Sequence, residues 1–172
     1  MSHHPMHLHE REITDPAILE EILRHGRWTT LALCLPQAPG SEAAGTDGPW
    51  PYVLTLSYGY APEERALYFH TARQGLKLDI LRQNPQVCGT VVEERGYLQG
   101  RCAQPYRSVV YRGRMEILES LEEKRHGIEV LLQHLEEDPE IMRDRLRRRG
   151  ETYERVCVLR LRIQEISGKA GQ

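Results

Sequence analysis

The segment that decides the fold is Tyr106–Leu118, with the sequence YRSVVYRGRMEIL. Apolar and polar residues alternate along it. One side would carry Val109, Tyr111, Met115 and Ile117, and the other Ser108, Arg112, Arg114 and Glu116. Successive side chains of a strand point to opposite faces, so this alternation predicts a β-strand with one face on a core.

Similar strand-like runs lie on both sides of this segment, at residues 27–35, 52–60, 66–71, 87–92 and 157–164. Helical signals are fewer: a start at Asp15-Pro16, a segment at 75–84, and a capping box at Ser120. Residues 36–49 show no period and predict a loop. We therefore expect a mainly β (α+β) fold, an antiparallel six-stranded barrel with a few flanking helices.

The size and charge of the chain narrow the possible functions. Its 172 residues suit one domain, which we place at residues 11–169 after a flexible, His-rich terminus at 1–10. A net charge of −2 argues against a nucleic-acid partner, since phosphate backbones need a strongly basic surface. No apolar run is long enough to cross a membrane, so we expect a cytoplasmic protein without membrane contact.

The four cysteines, Cys34, Cys88, Cys102 and Cys157, are far apart and form no Cys-x-x-Cys pair. This spacing gives no support to a metal site. Three of them, Cys34, Cys88 and Cys157, fall in apolar strand-like runs, so we expect them to be small buried hydrophobes.

One junction has the features of an anion site. The strand-like run ending at Thr71 leads to Gly75 and then to a helix with Lys77 in its first turn. A helix start offers unpaired amide donors and a partial positive charge, and Lys77 adds a full charge. The sequence contains no G-x-G-x-x-G or P-loop motif, which excludes the usual Rossmann and P-loop nucleotide sites.

Several runs in a fixed order carry a family resemblance. YFHTA at 68–72, GLKLD at 75–79, NPQVC at 84–88 and YRSVV at 106–110 resemble the pyridoxamine 5′-phosphate oxidase-like, flavin-binding split barrels. Within that superfamily the chain looks most like the nitroimidazole-reductase-related flavoproteins. The resemblance extends over nearly the whole chain.

The resemblance implies a homodimer that binds FMN, or FAD, at the subunit interface. Carried over by position, Lys77 and Gly75 would contact the phosphate, with Thr71 and His70 beside them. The strand Val53-Leu54-Thr55-Leu56 would run along the flavin, and Tyr106, Arg107 and Ser108 would approach from the partner chain. The oxidase proper has an arginine before its phosphate-binding lysine, where this chain has Leu76. We therefore expect little nearby charge to support Lys77.

The expected activity is that of an FMN-dependent oxidoreductase. It would pass electrons from a reduced nicotinamide to a small acceptor, of which a nitroaromatic compound is one class, with His70 as the catalytic residue. A non-catalytic flavin carrier or sensor and a haem-binding split barrel are the alternatives left open. In the dimer we expect Val109 and Tyr111 to be buried between the chains.

Overall fold

The computed structural model describes residues 6–35, 51–149 and 156–171. Residues 36–49, predicted to be a loop, and His3 and His4 of the His-rich terminus lie outside the described residues. The helices are α1 Pro16–His25, α2 Leu76–Gln83, α3 Leu121–Leu135 and α4 Pro139–Arg149, with a 3₁₀ turn at His9–Arg11. The strands are β1 Glu12–Ile13, β2 Trp28–Leu33, β3 Tyr52–Ser57, β4 Gly59–Ala61, β5 Ala66–Thr71, β6 Gln86–Glu94, β7 Tyr106–Leu118 and β8 Cys157–Gly171.

The strands form one antiparallel sheet, curled into a half-barrel, in the order β3-β2-β6-β7-β8-β5-β4, and β1 also pairs with β8. The mainly β, antiparallel prediction is confirmed, but the described residues contain eight strands rather than six. One extra strand, β1, is too short to show a period. The other arises because the run at 52–60 is two strands, β3 and β4, at opposite ends of the sheet.

Tyr58 is the corner between β3 and β4. Its side chain is fully buried, and its hydroxyl donates to the carbonyl of Leu23 at 2.8 Å. Its backbone amide donates to the carbonyl of Arg27 at 3.3 Å. These two bonds hold the turn between β3 and β4 against the C-terminal end of α1. The chain crosses there from one edge of the sheet, β3, to the other edge, β4.

The barrel interior holds the main core, and Tyr111 lies within it. The Tyr111 hydroxyl lies 2.5 Å from Oγ1 of Thr29, and its ring occupies the space where residue 89 would have a Cβ if it were not glycine. Val109 is also fully buried within this chain. The prediction that Val109 and Tyr111 lie between two chains is therefore wrong, because the outward positions of β7 are the alternate ones, such as Val110.

The cysteine prediction is correct only for Cys157, which is buried. Cys34 lies just beyond the end of β2 and is exposed. Cys88 alternates with the inward residues Val87 and Gly89, so its side chain points away from the core and is partly exposed. No helix within the described ranges is long and apolar enough to cross a membrane.

Helix α3 covers the outer face of β4 and β5 and makes a second core cluster. Tyr68 and Val158 are fully buried beneath it. The approach is close because of glycines: a Cβ on Gly59 would lie 2.7 Å from the backbone nitrogen of Leu131. The position of α3 therefore depends on the absence of a side chain at residue 59.

We expect Gly59→Ala to destabilise the fold by about 1–3 kcal/mol, the usual range for overpacking a filled core. The clash is with helix backbone, which cannot rotate away as a side chain can. Urea unfolding measures the change, and Ser57→Ala, a neighbouring truncation that adds no atoms, is the control. Equal stability of Gly59→Ala and the wild-type protein would contradict this packing.

Candidate flavin site at the start of α2

The start of α2 is open and has no side-chain cap. Gly75, its N-cap residue, has φ +133°, in a region that L side chains rarely adopt. A Cβ at this position would meet nothing within 4 Å. The first amides of a helix lack intrahelical acceptors, so they are available to an anion here. Lys77, in the first turn, is partly buried beside them.

Several positive charges surround the end of β5, where Thr71 pairs with Cys157. Burial raises the pKa of the Cys157 thiol, and the charges of Lys124, Arg82, Lys77 and Arg73 act on it in the opposite direction. Arg82 is paired with Asp79 at 2.8 Å. Arg73, four residues before Lys77 in the chain, acts on the same thiol as Lys77. The sequence did not point to Arg73, because it lies before α2, in a segment without the helical or strand periodicity that would predict the direction of its side chain.

His70 lies next to Thr71 on β5, opposite Val158 of β8. Its side chain is exposed, and no hydrogen bond or ion pair holds it among the described residues. Its neighbours Phe69 and Leu67 point into the barrel, so His70 points to the outer side of the strand. The imidazole is therefore accessible at the open end of the site.

The predicted flavin-flanking strand is an edge. Among the described strands β3 pairs with β2 alone, so its other edge presents backbone groups without sheet partners. Leu54 and Leu56 pack against the main core, whereas Val53 and Thr55 are exposed. The predicted stretch Val53–Leu56 therefore has a buried side and an accessible side.

Helix α2 runs from the end of β5 to the end of β2, the strands that lie next to the two edges of the sheet. It begins after β5, and its C-cap residue Asn84 donates through Nδ2 to the carbonyl of Cys34, at the end of β2, at 2.9 Å. A helix of eight residues is about 12 Å long at 1.5 Å per residue. His70, Thr71, Gly75 and Lys77 thus lie within eight residues of chain at the junction of β5 and α2, with His70 and Thr71 on opposite faces of β5.

The remaining predicted contacts, Tyr106, Arg107 and Ser108, lie far from this end. Thr71 pairs with Cys157 and Tyr106 pairs with Gly171, the first and last residues of the 15-residue strand β8. That separation is roughly 45 Å along the strand at about 3.3 Å per residue. One chain does not place both groups along the same stretch of β8.

Arg107 is held by two carboxylates of its own chain. Its Nη2 lies 3.0 Å from Oε1 of Glu21 and 2.6 Å from Oε2 of Glu93, and its side chain is only 15% exposed. The hydrogen bond from Arg107 lowers the pKa of Glu21. Burial would raise the pKa of Glu93, but the hydrogen bonds from Arg107 and Arg95 lower it overall. Within the chain, Arg107 fastens α1 to β6 and β7.

The family model described as pyridoxamine 5′-phosphate oxidase matches residues 15–170. The chain belongs to the pyridoxamine 5′-phosphate oxidase family. The flavin cofactor expected from the resemblance, FMN or FAD, is the cofactor of this family. No curated protein sequence shows significant similarity to the chain.

Solved structures share the fold of this family member. One is a candidate 5-nitroimidazole antibiotic resistance protein from Bacteroides thetaiotaomicron, with TM-score 0.71, 22% identity, and coverage of 98% of this chain and 96% of the other. A FAD-binding protein from Mesorhizobium loti has TM-score 0.63 and 23% identity, with coverage of 94% and 98%. A FAD and haem-binding protein from Mycobacterium smegmatis has TM-score 0.66 and 17% identity, with coverage of 94% and 74%.

The residues at the start of α2 fit a flavin phosphate on physical grounds. Uncapped helix amides, an open glycine and the charge of Lys77 are suited to an anion. The exposed edge of β3 is suited to a planar ring system with hydrogen-bonding edges. These two features lie at opposite ends of α2.

We expect Arg107→Ala to lower the melting temperature at pH 7, because Glu21 and Glu93 lose the cation that holds them. Both carboxyl groups have a lowered pKa in the folded state, so their contribution is present above the ordinary value of 4.5 and is lost as pH falls through the folded pKa. The difference from wild type should therefore shrink below pH 4.5.

Thermal melts at pH 7 and at pH 3.5–4 provide the measurement. Arg147→Ala, which removes an exposed pair with Asp144, is the control and should change little. A difference in melting temperature that is the same at both pH values would argue against the ion pairs as its cause.

Proposed function

We propose that the protein is an FMN-binding oxidoreductase that passes electrons from a reduced nicotinamide to a small acceptor. The supporting observation is the open, uncapped start of α2, which has Gly75 at its N-cap position and Lys77 in its first turn. FAD is the alternative form of the cofactor, because its phosphates carry the same charge. The chemistry that a bound flavin supplies is the transfer of a hydride or of single electrons.

The protein's own part is to bind and orient the cofactor. Lys77 and the α2 amides would hold the phosphate, with the Thr71 hydroxyl beside them. The accessible edge of Val53–Leu56 would offer backbone donors and acceptors to the ring. His70, exposed and without a partner in the described residues, would hold or deliver a proton at its imidazole nitrogen.

A second copy of the chain would complete the site. Tyr106–Ser108 lies the length of β8 away from Thr71, so its residues would reach the flavin from the partner. Of these three, Arg107 would serve through its hold on Glu21 and Glu93, since its guanidinium is already engaged. We propose a homodimer for this reason.

An outward patch on the sheet supports the same proposal. The register joins Thr55, Thr30, Thr90 and Val110 in one row across β3, β2, β6 and β7. Trp28 lies two residues before Thr30 on β2, and Val92 lies two residues after Thr90 on β6. Their side chains are 63% and 58% exposed. We call these six residues the outer patch. Uncharged and broad, it suits a self-complementary contact between two copies.

A nitroaromatic compound is the acceptor class that we propose to test first. The nearest support is the fold shared with the candidate nitroimidazole resistance protein of Bacteroides thetaiotaomicron. The absorption spectrum of the purified protein separates a flavin from a haem, and anaerobic addition of NADH or NADPH separates an enzyme from a carrier. A flavin that neither nucleotide reduces would contradict the oxidoreductase proposal.

We expect Lys77→Ala to weaken FMN by about ten- to a hundredfold and riboflavin much less, since one charge-assisted hydrogen bond to phosphate contributes roughly 1.5–3 kcal/mol. Arg73→Ala should have the same sign and a smaller effect. Titrations of both ligands at fixed salt measure this, and Lys77→Arg should restore part of the affinity. If FMN and riboflavin weaken equally, Lys77 is not a phosphate ligand.

We expect Val110→Lys to convert the dimer to monomer and to lower flavin affinity with it, because it places a charge in the uncharged outer patch. Analytical ultracentrifugation with and without flavin measures both effects. Ile141→Lys, an equally polar change at an exposed position on α4, is the control. A Val110→Lys protein that remains dimeric would place the interface elsewhere.

A further inference from the structure

Two of the cysteines line one cavity on the outer side of the sheet, away from the start of α2. Cys34 and Cys88 share a cavity of about 250 Å³ with Ala32, Asn84, Gln86 and Arg112. We call it the thiol cavity. Both thiols are free, and neither has a role in the proposed flavin site.

The strand register explains why the two thiols share a face. Ala32 pairs directly with Cys88, and Cys34 is two residues beyond Ala32. Cys34 lies one residue beyond the end of β2, where the continued strand would make it the diagonal neighbour of Cys88, and both residues line the cavity. Asn84 fixes the backbone of Cys34 through its 2.9 Å bond to the Cys34 carbonyl.

This diagonal arrangement suits a bridging atom better than a direct S–S bond. Diagonal neighbours have Cα atoms about 7–8 Å apart, whereas a disulfide needs no more than about 6.8 Å and Cβ atoms about 3.5–4.5 Å apart. A metal ion between the sulfurs adds two metal–sulfur bonds of about 2.3 Å each in the case of zinc. Two such bonds add enough length between the sulfur atoms to join diagonal neighbours without moving the strands.

The available ligands select the kind of metal. Across the described ranges no group of three or more His, Cys, Asp or Glu side chains could hold a metal ion, so a closed four-ligand zinc site is excluded there. Glu165 borders the same cavity but lies 3.6 Å from Arg112, with which it pairs. Two thiolates alone suit a soft monovalent ion that accepts two ligands, and Cu(I) is such an ion.

We propose that Cys34 and Cys88 bind one Cu(I) ion as a two-thiolate site in the thiol cavity. Each thiol releases its proton to solvent, and two sulfur–copper bonds form without a change of oxidation state. The resulting complex carries one negative charge. Arg112, directly opposite Cys88 in the β6–β7 ladder, would offset this charge by turning from its exposed 3.6 Å pair with Glu165.

The position of the cavity keeps it apart from the outer patch. It lies in the neighbouring row, Val53, Ala32, Cys88 and Arg112, which ends in the Arg112–Glu165 pair. It also lies at the C-terminal end of α2, about 12 Å along the helix from the proposed phosphate site. Because Val53 of the proposed ring site lies in this same row, Cu(I) binding is measured on both the flavin-free and the flavin-bound protein.

The test is an anaerobic titration of the reduced, full-length protein with Cu(I) against a chromophoric Cu(I) chelator. We expect one equivalent per chain, and a loss of affinity of at least about a hundredfold for Cys34→Ser and for Cys88→Ser, since even second-shell changes cost 10–100-fold. Cys102→Ser, which removes an exposed cysteine outside the cavity, should bind like wild type. Full retention of binding in either cavity variant would overturn the proposal.

A second measurement needs no cysteine variant. Bound Cu(I) should protect Cys34 and Cys88 of the wild-type protein from alkylation, as mapped by mass spectrometry, while Cys102 stays reactive. Arg112→Glu should weaken Cu(I) binding with both ligands intact, and Arg112→Lys should retain it. Equal alkylation with and without Cu(I), or ready formation of a Cys34–Cys88 disulfide by a low-molecular-weight disulfide, would overturn the proposal.

Discussion

The pairing of β8 with three other strands is the interaction on which the rest of the structure depends. Along its 15 residues β8 pairs with β7, with β5 at its beginning and with β1 near its end. Without it, β5 and β4 would have no connection to the rest of the sheet. The long β7–β8 ladder is accommodated by a bulge between Arg112 and Gly113, where a Cβ on Gly113 would lie 2.0 Å from the Arg162 carbonyl oxygen.

This pairing also distributes the functional regions. It places Thr71 at one end of β8 and Tyr106 at the other, so in the proposed function each end of one chain would contribute half of a flavin groove. The proposed symmetric pair of chains would join two such halves twice, which would give two equivalent sites. The bulge lies beside the thiol cavity, whose wall includes Gly113. The same irregularity that lets β7 and β8 curve thus shapes the cavity on the outer face.

The charges near the candidate flavin site show that a residue's expected role in a sequence motif can differ from its contacts in the folded chain. Leu76 stands where the oxidase proper has a cation, and read in sequence this suggests a weak phosphate site. In the fold, Arg73 acts on the same region as Lys77, because both charges reach Cys157 at the start of β8. Arg107 shows the reverse case: its motif suggests a cofactor contact, but Glu21, 86 residues away in the chain, occupies its guanidinium.

The sequence by itself determined the local elements: the alternation in Tyr106–Leu118, the Asp15 cap of α1, the Ser120 cap of α3 and the Gly75 start of α2 are all present in the structure. These features depend on residues only a few positions apart, so they can be predicted from the sequence alone. Only the tertiary structure decided that 52–60 splits at Tyr58, that Tyr111 faces its own core, and that Cys34 and Cys88 line one cavity. Each of these depends on the register between strands that are distant in the chain, and long-range register is not encoded in any single segment.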